Sequence, residues 1–185
     1  MNQVRIIAGQ WRRRLLRFPD RPDLRPTPDR VRETLFNWLG QDLTGLSCLD
    51  LFAGSGALGF EAASRGAARV VLIEKSLPAL QALENNIHLL QAAEIIQVVR
   101  RDALEFSRFS GHPPFDVLFL DPPFRMNWID KFAPLLAGLV KETGRLYVEA
   151  EYAISNIGDW QTLKSGRAGQ VHYHLLAHTA HLSAA

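Results

Sequence analysis

Two short segments carry the residue types that a transfer reaction needs at the end of a strand. One is Asp121-Pro122-Pro123-Phe124, placed directly after the apolar run 115–120, which reads as a buried strand. A carboxylate, two prolines and an aromatic ring suit the gripping of a flat base with an exocyclic amine. Asp121 can accept a hydrogen bond from the amine, the Pro122 carbonyl a second, and Phe124 can stack on the ring, with the prolines stiffening the loop. Such an amine is a poor nucleophile because its lone pair is delocalised into the ring. Holding its protons out of plane frees that pair for an electrophilic methyl group. The other segment, Asp50-Leu51-Phe52-Ala53-Gly54-Ser55-Gly56-Ala57-Leu58-Gly59, is a glycine-rich turn after a second apolar strand. Together they point to methyl transfer from S-adenosylmethionine to a nucleobase nitrogen.

The glycine spacing is also that of a dinucleotide-binding turn, with Glu74 ending the next strand, where an acid meets ribose hydroxyls. Asp50 discriminates between the two ligands. A carboxylate before the turn repels a pyrophosphate and attracts the amino group of a methionine moiety; the alternative is an aspartate that only stabilises the turn. The expected donor site comprises Asp50, Phe52, Gly54, Gly56, Glu74 and Lys75, with Asp102 and Ala103 near the adenine. Glu74 could instead pair with Lys75 or be a solvated strand end, and Asp102 could be a helix N-cap.

The elements that must position these residues are βα repeats. Strands are expected over 48–52, 69–74, 95–100, 116–120 and 144–149, with helices over 57–65, 77–90, 103–109 and 127–139. This alternation implies a doubly wound, mostly parallel sheet with helices on both faces. First and fourth strands are neighbours at the switch point of such a sheet, so Asp50 and Asp121 should face one crevice. Strands over 160–164 and 171–176 around Gly166-Arg167-Ala168-Gly169 suggest an antiparallel hairpin finishing the sheet. Before the repeats, 4–8 and 15–18 read as short strands, followed by a proline-broken stretch. Thr27-Pro28-Asp29 then reads as a helix start, with Thr27 as cap and Pro28 at the first helical position. The last residues, from about 179, are expected to fray.

The chain has 185 residues, 47% hydrophobic and 22% charged, as in water-soluble globular proteins, and its N-terminus lacks the apolar core of a signal peptide. Cys48, the single cysteine, excludes an internal disulfide and fits a reducing, cytoplasmic setting as a buried thiol. The net charge of +2 hides an asymmetry: residues 1–32 hold nine arginines against three aspartates. Arginine's planar fork suits phosphate contacts, so Arg5, Arg12, Arg13, Arg14 and Arg17 are candidate RNA-binding residues. No metal constellation stands out; His172 and His174 alternate on one strand without a cysteine, as packing residues do.

Asp-Pro-Pro-Phe at 121–124 resembles the amine-methylating signature of class I methyltransferases. The segments 5–15, RIIAGQWRRRL, and 25–37, RPTPDRVRETLFN, resemble those of the RsmD family of bacterial small-subunit ribosomal RNA guanine-N2 methyltransferases. The resemblance spans nearly the whole chain. It implies a seven-stranded Rossmann-like fold, S-adenosylmethionine as donor with S-adenosylhomocysteine as product, and one guanine of 16S rRNA as acceptor. It further implies a partly assembled small subunit as substrate. It assigns Asp121, Pro122 and Phe124 to catalysis and Asp50, Gly54, Gly56 and Glu74 to the donor, and brings Thr27 and Arg30 over the cofactor. Residues 1–40 are then a basic, cofactor-covering extension and 41–185 the catalytic domain of a monomer. The rivals are a DNA adenine-N6 methyltransferase, an RNA-binding protein with a relict pocket, and a nicotinamide oxidoreductase.

Overall fold

The computed structural model describes residues 1–21, 24, 26–109, 111–124 and 126–182. Pro22 of the proline-broken stretch, Arg25 of the family motif and residues 183–185 of the tail lie outside them.

Five parallel strands form the middle of the molecule: β3 (Ser47–Asp50), β4 (Arg69–Ile73), β5 (Ile96–Val99), β6 (Phe115–Leu120) and β7 (Val140–Ala150). The antiparallel strands β10 (Val171–His178), β9 (Trp160–Ala168) and β8 (Asn156–Ile157) extend the β7 edge, giving the order β5-β4-β3-β6-β7-β10-β9-β8. Among the described residues the sheet therefore has eight strands where seven were expected, the addition being the two-residue edge strand β8. Successive residues serve opposite faces, as the pleat requires. Cys48, Val70, Val117 and Phe119 join one apolar cluster, and Leu49, Val71, Leu118 and Leu120 the other. Helices α1 (Asp29–Leu39), α2 (Ala57–Ser64) and α3 (Leu77–Leu90) pack on the first face. On the second lie α4 (Ala103–Phe109), α5 (Trp128–Phe132) and α6 (Leu136–Leu139). The expected single helix over 127–139 is broken by a 3-10 turn at Ala133–Leu135, where Pro134 has no amide to donate.

Other boundaries moved for local reasons. The first strand is β1 (Asn2–Arg5) rather than 4–8, because the amides of Ile7 and Ala8 donate to Glu61 of α2 instead of to a partner strand. It pairs with β2 (Leu15–Phe18), and Val4, Ile6, Leu16 and Phe18 share the first apolar cluster. The C-terminal hairpin is longer than expected, since β9 continues through Gly166 to Ala168. A Cβ at Gly166 would lie 2.3 Å from the ring of Tyr173, its cross-strand partner, so glycine there makes room for the tyrosine. The tail does not fray at once: Thr179–His181 form a 3-10 turn.

Candidate active site

Each parallel strand delivers an acid to its carboxyl end. Across the sheet these are Asp102 after β5, Glu74 after β4, Asp50 closing β3, Asp121 after β6, and Glu149 just before the end of β7. Asp50 pairs in register with Phe119, two residues before Asp121, and Leu120 pairs with Val148, so Asp121 and Glu149 take the next positions on neighbouring strands. Asp50 and Asp121 thus lie at the ends of neighbouring strands, near enough for the charge of Asp50 to act on Asp121.

Gly54 (φ +52°) and Gly56 (φ +77°) build the turn that opens α2, in a backbone region that suits glycine. A Cβ on Gly56 would also lie 2.6 Å from Leu83 and Phe60. Glu74 fixes the turn from the next strand. Its Oε2 accepts from the Gly54 amide at 3.0 Å and its Oε1 from the Ser76 amide at 2.7 Å. Asp50 is buried and accepts from the amides of Phe52 and Gly59. Its visible contacts brace the turn from behind, which is the alternative that the sequence left open. Asp102 Oδ1 accepts from the Leu104 amide at 2.9 Å, an N-cap contact for α4, and Lys75 lies 3.9 Å from Asp102, exposed. Ala103 opens α4 and is buried. Phe52 turns its ring edge-on to Trp128 and Phe132, into the helix side of the sheet. Beyond β6, Pro122 is buried while Phe124 is 40% exposed, leaving its ring open for stacking.

Thr27 does not cap α1. Pro28 occupies the cap position, and the Thr27 hydroxyl instead donates to Glu149 Oε1 at 3.1 Å. The chain before it is pinned across the same sheet edge. Arg21 donates to Ser76 Oγ at 2.6 Å, and Leu24 lies against Gly54. Arg30 is exposed on α1. The arginine cluster sits elsewhere. Gln10 donates to the Ser64 carbonyl and Trp11 to Ser64 Oγ, so the loop 9–14 docks at the far end of α2. Arg12, Arg13 and Arg14 are exposed about 12 Å of helix away from the glycine turn. Arg17 and Arg5, the latter paired with Asp29 at 3.3 Å, are exposed along the hairpin between the two ends. His174 is a packing residue: its Nε2 accepts the Ile154 amide at 3.0 Å.

Burial and mutual repulsion set the electrostatics. Burial, with smaller contributions from Glu74 and Glu149, pushes the Asp50 carboxyl up to about 7. Burial and then the charges of Glu149 and Asp50 raise Asp121, and burial raises Glu149. A cluster with this excess of acid fits a ligand that brings positive charge, as the sulfonium and ammonium of S-adenosylmethionine do, and disfavours a pyrophosphate. Glu149 was not among the residues singled out from the sequence. It closes an apolar strand and read as its last member, although Tyr147 and Glu149 alternate with Leu146 and Val148.

The family model described as "Conserved hypothetical protein 95" matches residues 4–177. Ribosomal RNA small subunit methyltransferase D of Escherichia coli K12 is 44% identical over 178 residues, covering 94% of this chain and 89% of that protein. Its namesake in Haemophilus influenzae is 41% identical, covering 94% and 93%. This chain belongs to the RsmD family. A solved Escherichia coli structure, yhhF, itself a methyltransferase candidate, superposes with a TM-score of 0.85 at 43% identity, covering 96% of this chain and 98% of that one. The sheet, with its antiparallel C-terminal hairpin and flanking helices, is the Rossmann-like class I methyltransferase fold.

For this RsmD family member the acidic crevice has a measurable consequence. A carboxyl whose folded pKa lies above its unfolded one holds its proton more tightly in the folded chain. Its stabilising contribution is complete below the unfolded value and is lost as pH rises through the folded one. For Asp50 that window runs from 3.8 to about 7, and Asp121 and Glu149 act in the same direction. The ligand-free protein should therefore unfold more readily at pH 8 than at pH 5. Asp121→Asn, which cannot ionise, should lose less over that interval. Thermal unfolding at the two pH values measures this, and equal sensitivity in the variant would contradict it.

Proposed function

We propose that this chain is an S-adenosylmethionine-dependent methyltransferase that modifies 16S rRNA at the exocyclic N2 amine of one guanine. The observation that carries this is the meeting of Asp50, Asp121 and Glu149 beside a glycine turn, in a chain of the RsmD family. S-adenosylmethionine, when bound, supplies an electrophilic methyl on a sulfonium and leaves as S-adenosylhomocysteine. Gly54 and Gly56 let the backbone approach that ligand, Glu74 meets its ribose, and Asp102 with the Ala103 amide meets its adenine. Phe52, Lys75, Thr27 and Arg30 complete the surround. At the acceptor side, Asp121 accepts from the amine, the Pro122 carbonyl accepts its second proton, and Phe124 stacks on an unstacked guanine. Positioning and electrostatics contribute most of the effect.

Residues 1–40 serve as the basic extension and 41–185 as the catalytic domain, acting as a monomer without a metal on a partly assembled small subunit in the cytoplasm. Among the described residues no helix is long and apolar enough to cross a membrane. The exposed Arg5, Arg12, Arg13, Arg14 and Arg17 hold RNA phosphate along the hairpin, away from the pocket. One experiment tests both parts. Undermethylated small subunits are incubated with labelled donor at several salt concentrations, using the wild type and a variant with Arg12, Arg13 and Arg14 changed to alanine, and the labelled base is mapped. The label should lie on a guanine N2. The variant should bind rRNA more weakly with a shallower salt dependence, by up to about 0.9 in log–log slope for each phosphate that is no longer neutralised. Label on an adenine, or on DNA alone, would refute the acceptor assignment; an unchanged slope would refute the arginine assignment.

A further inference from the structure

Glu149 is 5% exposed, and its Oε1 takes two hydrogen bonds, from Tyr147 Oη at 2.8 Å and from Thr27 Oγ1 at 3.1 Å. The Thr27 hydroxyl also acts on the Asp121 carboxyl, which it lowers against the larger effects of burial and of the Glu149 and Asp50 charges. A threonine hydroxyl has one proton to give. While it gives that proton to Glu149, it can face Asp121 only as an acceptor, which requires the proton on Asp121. When it turns to Asp121, Glu149 must hold the proton. Other titratable groups around the pair are Asp50 on β3, Tyr147 on β7 and, behind Tyr147, Tyr173 on β10. These groups are acids or phenols, and they oppose a second negative charge on the pair.

We propose that Asp121 and Glu149 share one proton through the Thr27 hydroxyl, and that Glu149, as a positioning residue, receives it when the substrate amine needs Asp121 as a base. The proposal rests on the methyltransferase function above. Before transfer, Asp121 passes its proton to Thr27, and Thr27 passes its own to Glu149, leaving Asp121 as an anion against the amine. The amine's lone pair then forms the nitrogen–carbon bond as the carbon–sulfur bond breaks, and the breaking bond's electron pair stays on sulfur. Asp121 takes the proton that the nitrogen sheds, and both carboxyls end neutral until one proton leaves to solvent. The crevice thus loses its negative charge in the step in which the donor loses its positive one.

The test combines Glu149→Gln, Thr27→Val and Thr27→Ser. A glutamine carbonyl can still accept from Tyr147 and Thr27, which holds Thr27 turned away and leaves Asp121 protonated. The kcat of Glu149→Gln should fall about 100-fold at pH 7 and recover in part as pH rises, with S-adenosylhomocysteine affinity within about threefold of wild type. Thr27→Val should lose a similar factor, Thr27→Ser should restore most of it, and the Glu149→Gln/Thr27→Val double variant should lose no more than either single one. Without any turnover, infrared spectra of the ligand-free protein at pH 7 should show protonated carboxyl absorption to which Asp50 also contributes, and its Asp121 component should be removed by Asp121→Asn and left by Glu149→Gln. A pH-independent loss in Glu149→Gln, additive losses, a serine no better than valine, or an absorption untouched by Asp121→Asn would each overturn the proposal. If Glu149→Gln does not fold, the Thr27 pair and the Asp121→Asn spectrum decide. If the wild type methylates no rRNA, the proposed function fails, and the spectra still decide whether the proton is shared.

Discussion

Asp121→Ala should cut methyl transfer to rRNA by about 10³-fold while donor binding stays within about threefold of wild type. The separation follows from the position of Asp121. It follows β6, next to Glu149 on one side and diagonal to Asp50 on the other, whereas the turn proposed to receive the donor is built by Gly54, Gly56 and Glu74 across β3 and β4. Alanine removes the acceptor for the amine and the base for its proton, and leaves the turn's hydrogen bonds untouched. It also removes a carboxyl that burial and the charges of Glu149 and Asp50 hold above its ordinary range, so the ligand-free variant should be no less stable than wild type at pH 8. Calorimetric titration with S-adenosylmethionine and single-turnover transfer from labelled donor separate the two effects. Unchanged methylation by purified Asp121→Ala would remove Asp121 from the chemistry, and lost donor binding would move it to the donor site.

Local backbone structure was legible in the sequence where it depended on neighbours in the chain. The glycine turn needs only its own spacing, and the Asp-Pro-Pro-Phe loop announces itself by following an apolar run. The pairing of Asp50 with Asp121 needed one further step, the rule that the first and fourth strands of a doubly wound sheet are adjacent. What could not be read were contacts that packing alone decides. Thr27 had the type and place of a helix cap, but its hydroxyl reaches Glu149, 122 positions along the chain. Asp50 and Phe52 sit in the glycine-rich segment expected to bind the donor, yet their side chains brace the turn and fill the helix side. The arginine cluster read as a phosphate-binding arm, but its place was set only by the docking of loop 9–14 on Ser64, at the opposite end of α2 from the glycine turn. The break after α5 was readable from Pro134, which sits inside an otherwise periodic apolar pattern.

Arg32→Met should destabilise the fold by about 3–5 kcal/mol, the cost of stranding the partners of a buried charge. Arg32 is fully buried at the start of α1, and each guanidinium nitrogen has an acceptor. Nε donates to the Thr27 carbonyl at 3.1 Å, Nη1 to Glu61 Oε2 at 3.3 Å, and Nη2 to Asp29 Oδ1 at 2.7 Å and the Arg5 carbonyl at 2.8 Å. Glu61, itself fully buried, also receives Arg65 Nε at 2.8 Å and the amides of Ile7 and Ala8. One side chain therefore joins the hairpin, α1 and α2 and holds the backbone of Thr27, whose hydroxyl enters the acceptor crevice. Methionine fills the volume but leaves two carbonyls and a buried carboxylate short of a donor. Arg32→Lys should recover only part of the loss, because a single ammonium cannot span four acceptors in the planar arrangement of the guanidinium. The Arg32→Met/Glu61→Leu double variant should not recover it either, since the Ile7 and Ala8 amides would then lack an acceptor. Urea unfolding measures these differences, and a loss below about 1 kcal/mol in Arg32→Met would mean that the network is dispensable. The consequence for function is that Arg32→Met should lower kcat even where the protein remains folded, because the Thr27 carbonyl is the anchor that aims its hydroxyl at Glu149.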